Sequence, residues 1–110
     1  MKSRKLSLVR EIVRRMGYVS INSLRRWLNL SSVNDARKLV YRLTRIDENL
    51  EPVYTVTFEK EGPLASFSVE EVEESRLREV LSRKIRDGWK LKSKYISGIK
   101  FRGFSLMFVF

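Results

Sequence analysis

Apolar positions recur at helical period from the start of the chain. Leu6, Val9, Ile12, Val13 and Met16 stand three and four apart, the buried stripe of an amphipathic helix, with a basic arm, Met1 to Lys5, before them. Gly17 follows as a C′ residue, where the left-handed conformation costs glycine little. Tyr18-Val19-Ser20 reads as a short extended piece whose serine caps the next helix. Ile21, Leu24 and Leu28 give that helix its core face, and Trp27 closes its edge. Asn29-Leu30-Ser31 makes a turn in which Leu30 plugs the core, and Ser31 or Ser32 caps a longer helix over 32–46. At 100° per residue, Val33, Ala36, Leu39, Val40, Leu43 and Ile46 fall on one side of it. On the opposite side lies a stripe of Asn34, Lys38, Tyr41 and Arg45, flanked by Arg37 and Arg42.

Beyond Pro52 the period changes to two. Val53, Thr55, Thr57 and Glu59 alternate with Tyr54, Val56, Phe58 and Lys60, and the β-branched and aromatic content predicts a strand. Glu61-Gly62-Pro63 is a turn, and Leu64 to Val69 supplies a second strand with Leu64 inward and Phe67 a candidate to join it. Ser68-Val69-Glu70-Glu71 matches a capping box and predicts a helix to about Asp87. Glu70, Glu71, Glu73 and Glu74 then fall in its first turns and Arg83, Lys84 and Arg86 in its last, complementing the helix dipole. Leu77, Val80, Leu81 and Ile85 form its apolar face, and Gly88 ends it.

From Trp89 to Phe110 the chain alternates again, with Trp89, Leu91, Ser93 and Tyr95 on one face and Lys90, Lys92 and Lys94 on the other. Gly98 and Gly103 are the turn candidates of a terminal hairpin. Phe104, Leu106, Phe108 and Phe110 form one face of its closing strand. Met107 and Val109 make the other face apolar too, so this strand is central in a sheet or covered by a second copy of the chain.

Charge changes the picture most. The 110 residues carry a net charge of +10, distributed as +8 over residues 1–50, −2 over 51–69, −1 over 70–88 and +5 over 89–110. Basic ends around a near-neutral middle point to a polyanionic partner. Cys and His are absent, which removes disulfides, thiol nucleophiles, histidine acid–base pairs and the usual zinc ligands. Gln is also absent and charged residues reach 33%, a pattern seen in thermophile proteins. No apolar run is long enough for a membrane span and no signal peptide is evident, so a cytoplasmic protein is expected. Glu59-Lys60-Glu61 lacks the spacing of a nuclease metal site, and no phosphate-binding glycine loop or nucleophile elbow occurs. Neither an enzyme nor a cofactor is expected.

An apolar back and a basic, hydrogen-bonding front at helical period suit a helix that enters a DNA major groove. The pattern Gly17, Val19-Ser20, Leu24, Leu28, Leu30-Ser31, Val40, Leu43 resembles winged helix-turn-helix domains, particularly small bacterial and archaeal transcription regulators. The resemblance covers about residues 5–69 and implies an α+β fold of three N-terminal helices and a β-hairpin wing. A helix and a terminal β-hairpin over 70–110 would then pack on domain 1–69 or form a dimer interface. The resemblance further implies Asn34, Lys38, Tyr41 and Arg45 as base-facing residues, and Ser31, Ser32, Arg37 and Arg42 as phosphate contacts. The wing departs from the pattern, because its tip, Glu59-Lys60-Glu61, is net acidic.

The expected function is double-stranded DNA binding by a homodimeric transcription regulator. A winged-helix protein–protein module is one alternative, favoured by the acidic wing tip. Another is RNA or single-strand binding by the tail, where Trp89, Tyr95, Phe101 and Phe104 interleave with Lys90, Lys92, Lys94, Lys100 and Arg102.

Overall fold

The computed structural model describes residues 2–106, with side chains from residue 5 onward. It is an α+β structure whose elements run α1 (Lys2–Met16), β1 (Tyr18–Ser20), α2 (Ile21–Trp27), α3 (Val33–Ile46), β2 (Leu50–Lys60), β3 (Ser66–Glu73), α4 (Glu74–Arg86) and β4 (Lys90–Phe101). The four strands form one antiparallel sheet in the order β1-β4-β2-β3.

Local chemistry sets the N-terminal elements. The Ser20 hydroxyl accepts the Ser23 N–H at 3.2 Å and starts α2; the Ser32 hydroxyl accepts the Asp35 N–H at 3.2 Å and starts α3. Each such cap contributes about 1 kcal/mol. Between the two helices Asn29 takes a φ of 53°, a left-handed conformation that asparagine tolerates better than most residues, and the Leu30 N–H donates to the Arg25 carbonyl at 2.9 Å. The back of α3, Ala36, Val40 and Leu43, is fully buried against Val9 and Val13 of α1, Leu24 of α2, and Leu50 and Ile99 of the sheet. Burying each of the larger of these side chains stabilises the fold by about 1.5–3 kcal/mol.

A second cluster joins Val56, Phe58, Val72 and Val80, with Tyr54, Leu77, Leu81 and Trp89 packed against it. Leu50, Tyr54, Val56 and Phe58 share one face of β2, so both clusters lie on the same side of the sheet, one toward each end. The molecule is accordingly elongated, 54 × 29 × 26 Å.

The structure departs from expectation where pairing between distant segments overrides local pattern. Lys2 to Lys5 belong to α1 rather than to an arm. The expected capping box at Ser68 is strand: β3 pairs with β2 from Ser66 to Glu73, and α4 starts only at Glu74 with no side-chain cap. Glu70, Glu71 and Glu73 therefore lie on a strand, and only Glu74 sits in the helix's first turn. Leu64 and Phe67, expected inward, are 85% and 59% exposed; Phe67 and Val69 occupy the face of the sheet that carries no helix. Met16, Ile46 and Ile85 are exposed as well, at the margins of their apolar faces. Pro52 lies within β2, beyond the end of β3, where a free edge tolerates proline. The division drawn after Val69 falls inside β3.

The largest difference concerns the tail. No terminal hairpin forms among the described residues: β4 runs unbroken through Gly98, between β1 and β2. Residues 104–106 are not strand, and the rest of the expected closing strand, Met107 to Phe110, lies outside the described residues. Gly98 is needed for a different reason than a turn. A Cβ there would come within 2.6 Å of Tyr18 Cε1. The Tyr18 ring crosses β4 at this point, on the helix-free face, and its hydroxyl donates to Glu71 Oε2 at 3.2 Å, linking β1 to β3 across the sheet. Burial, and then the Glu71 carboxylate, push the Tyr18 pKa well above its ordinary value of 10.0.

Two outcomes are expected. Gly98→Ala lowers stability by about 1–3 kcal/mol in urea unfolding, since the added methyl must displace the Tyr18 ring; an unchanged midpoint would contradict this packing. The folded chain also keeps the Tyr18 proton to higher pH than the unfolded chain. Its contribution is full below about pH 10 and is lost as pH rises through the folded-state value, so stability falls in strong alkali and Tyr18→Phe makes that fall shallower in thermal melts.

Candidate nucleic-acid interface

The residues expected to meet the major groove lie on α3, at its cap Ser32 or just before it at Ser31, and the packing of its back fixes which way the helix faces. Tyr41 is 52% exposed, and Lys38, Arg42 and Arg45 are exposed beside it. The Arg45 guanidinium stacks over the Tyr41 ring, 4.6 Å from its centroid. Lys38 and Arg42 have no partner among the described residues.

The N-terminal members of the set are held by neighbours. Ser32 is the helix cap, and the Ser31 hydroxyl donates to Asp35 Oδ2 at 2.6 Å. Asn34 Oδ1 accepts from Arg37 Nη1 at 3.3 Å. Arg37 Nε donates to the Ile96 carbonyl of β4 at 2.9 Å, and the guanidinium lies 4.9 Å from the Tyr95 ring centroid. Arg37 thus joins α3 to β4, a structural bond that the helical pattern alone does not reveal.

Arg37, Lys38, Tyr41, Arg42 and Arg45 converge on an open hollow of about 580 Å³ completed by Ile46 and Ile96. Ser31, Ser32 and Asn34 stand outside it. On the other flank of α3 a smaller hollow of about 300 Å³ brings Lys5 to Lys38 and Arg42, with Asp35 beside them, over a floor of Leu6, Leu30 and Leu39. Lys5 escapes the sequence reading because it is assigned to an arm; extending the α1 stripe by one turn would have found it.

Tyr54 and Lys94 also border this surface, brought there by the β2–β4 register rather than by any local signal. Lys94 Nζ sits 5.4 Å above the Tyr54 ring. The Tyr54 hydroxyl donates to Glu74 Oε2 at 3.4 Å, and its pKa is raised by burial and then by Glu74, with nearby Arg45 opposing.

Carboxylates are distributed unevenly. Lys90 pairs with Glu61 at 3.2 Å, Lys92 with Glu59 at 3.4 Å and Lys84 with Glu70 at 2.9 Å. Lys100, 2% exposed, meets Glu51 and Glu73 at 3.5 Å each, and Arg102 meets Glu51 at 3.6 Å. Arg10 of α1 is taken by Asp47 at 2.8 Å. None of the four cations of α3 has a carboxylate partner among the described residues.

No protein-family model matches the chain, and no curated protein sequence is significantly similar to it. Among the described residues, no helix is long and apolar enough to cross a membrane.

The two roles separate experimentally. Arg37→Ala should lower stability by about 1–2 kcal/mol in denaturant unfolding through loss of its bond to Ile96, whereas Lys38→Ala and Arg42→Ala should stay within about 0.5 kcal/mol of the parent.

Proposed function

We propose that this chain is a double-stranded DNA-binding protein, a winged helix-turn-helix regulator of transcription that presents α3 to the major groove. One observation carries the reading. Lys38, Arg42 and Arg45 project from one exposed face of a helix whose back is fixed in the core, and none of them is ion-paired among the described residues. Asp35, which borders Lys38 and Arg42, accepts the Ser31 hydroxyl instead, while acids elsewhere pair with Lys84, Lys90, Lys92 and Lys100. Unpaired cations on a rigid helix are available to phosphates and base edges with little rearrangement.

In this mode Asn34, Lys38 and Arg45 offer donors to base edges, and Tyr41 adds a hydroxyl or a contact with a thymine methyl. Arg42, with Lys5 beside it, faces phosphate. One helix reads only a few base pairs, so two copies on a two-fold site are expected. The exposed Leu64, Phe67 and Val69 of the β2–β3 hairpin favour a protein contact there, and a second copy of the chain is the partner that this mode requires.

Single-strand binding by the tail has less support. Lys90, Lys92, Lys100 and Arg102 are all ion-paired, and Trp89 packs against Lys84 and Lys60.

Fluorescence anisotropy with random duplex, single-stranded DNA and RNA at two salt concentrations tests the reading, with duplex expected to bind best. Failure to bind any nucleic acid at low salt would end it. On a selected duplex site, Arg45→Ala should cost about 1–3 kcal/mol of discrimination at the base it reads. Arg42→Ala should weaken all sequences evenly and reduce the salt slope by about 1.

A further inference from the structure

The hairpin tip carries acid where a second DNA contact would need base, and the structure offers that contact elsewhere. We propose that the second nucleic-acid contact is the free edge of β4 around Lys94 and Tyr95, and that the hairpin tip stays off the duplex. This rests on the reading of α3 given above.

Three observations support it. The first is access. β1 pairs with β4 only from Gly98 to Lys100, so the β1 side of Lys90 to Ser97 has no strand against it among the described residues. Edges of this kind are commonly kept from pairing with other chains by lysine, and the same lysines are open to a polyanion.

The second is position. Arg37 links α3 to the Ile96 carbonyl, and its guanidinium covers Tyr95, so the β4 edge is held next to the front of α3. Tyr54, opposite Ile96 in the ladder, lies within electrostatic reach of Tyr41 and Arg45. Two tyrosine–cation pairs, Tyr41 with Arg45 on α3 and Tyr54 with Lys94 on β2 and β4, are therefore neighbours on the helix-bearing side. Tyr95 alternates to the other face of β4 and is met at the strand's edge by Arg37. Each ring holds its cation at the surface, which limits the side-chain freedom lost on meeting a phosphate.

The third is charge. Glu74 accepts the Tyr54 hydroxyl, and Lys94 has no carboxylate partner among the described residues. At the tip the opposite holds. Glu59 and Glu61 are each paired with a lysine of β4, and Lys60 lies 5.3 Å from the centroid of the Trp89 ring. The tip is neutralised within the molecule and offers a phosphate nothing.

Affinity for duplex DNA measured across a salt series discriminates the outcomes. Lys94→Ala should weaken binding about three- to tenfold for all sequences and lower the salt slope by about 1, with the unfolding midpoint unchanged. Lys94→Arg should restore both. Removing the tip acids with the double variant Glu59→Gln and Glu61→Gln should leave affinity within about twofold, because a tip held off the duplex makes no contact with it. If Lys94→Ala binds like the parent while Arg42→Ala and Arg45→Ala are impaired, or if the tip variant binds much more tightly, the edge proposal is overturned and α3 stands. If Arg42→Ala and Arg45→Ala bind like the parent too, both readings fall together.

Discussion

The backbone ladder between β2 and β4 is the interaction on which the other parts depend. It runs from Leu50 opposite Phe101 to Glu59 opposite Lys90, interrupted by two irregularities. Neither hydrophobic cluster closes without it. Ile99 of β4 and Leu50 of β2 form the floor under α1, α2 and α3, while Val56 and Phe58 of the same β2 receive α4. A sheet buried on one face only leaves its other face to be managed. Here one aromatic side chain, Tyr18, lies across β4 over Gly98 and ties the outer strands together. The helices are positioned by what the ladder presents to them, and the direction in which α3 faces follows from that.

Electrostatics then divides the molecule. Thirteen acids cannot offset twenty-three bases, so their placement decides where positive potential remains. The carboxylates gather on β2, β3 and the start of α4, where they hold Lys84, Lys90, Lys92, Lys100 and Arg102. Exposed pairs of this kind add little stability, at most about 1 kcal/mol each. The buried Lys100–Glu51–Glu73 group differs, because removing one member leaves a charge in the interior at a cost of about 3–5 kcal/mol. In both cases the consequence for the surface is the same: α3 and Lys94 are among the places where cations stay without a carboxylate partner among the described residues.

The first fifty residues are legible from sequence because their structure is encoded locally. Serine caps, the turn at Asn29 and the apolar back of α3 all follow from neighbours within a turn or two. The segment from Ser66 to Glu73 is not legible in that way. Ser68-Val69-Glu70-Glu71 satisfies a helix cap as well as it satisfies a strand, and what decides is the need of β2 for a partner along its second edge. Ser68, Glu70 and Val72 then face α4, where Lys84 reaches both Ser68 at 3.0 Å and Glu70 at 2.9 Å. Gly98 misleads for a related reason. Glycine marks a turn by default, and only the unseen ring of Tyr18 makes it a strand residue. At the candidate interface the helical stripe is readable, but the tie of Arg37 to Ile96 and the arrival of Tyr54 and Lys94 are properties of the strand register.

The order of the sheet sets when the molecule can exist as such. β1 follows directly after α1, yet its strand partner, β4, comes after every other element, with Tyr18 and Lys100 about eighty positions apart. During synthesis from the N-terminus, the three helices emerge first and wait with one side of their core open until β4 leaves the ribosome. Ile99 is the residue that closes it. Contacts so distant in sequence slow folding, and until they form, an exposed apolar surface sits on a strongly basic segment. A nascent chain in that state could meet nucleic acid before it has a fixed face with which to read it.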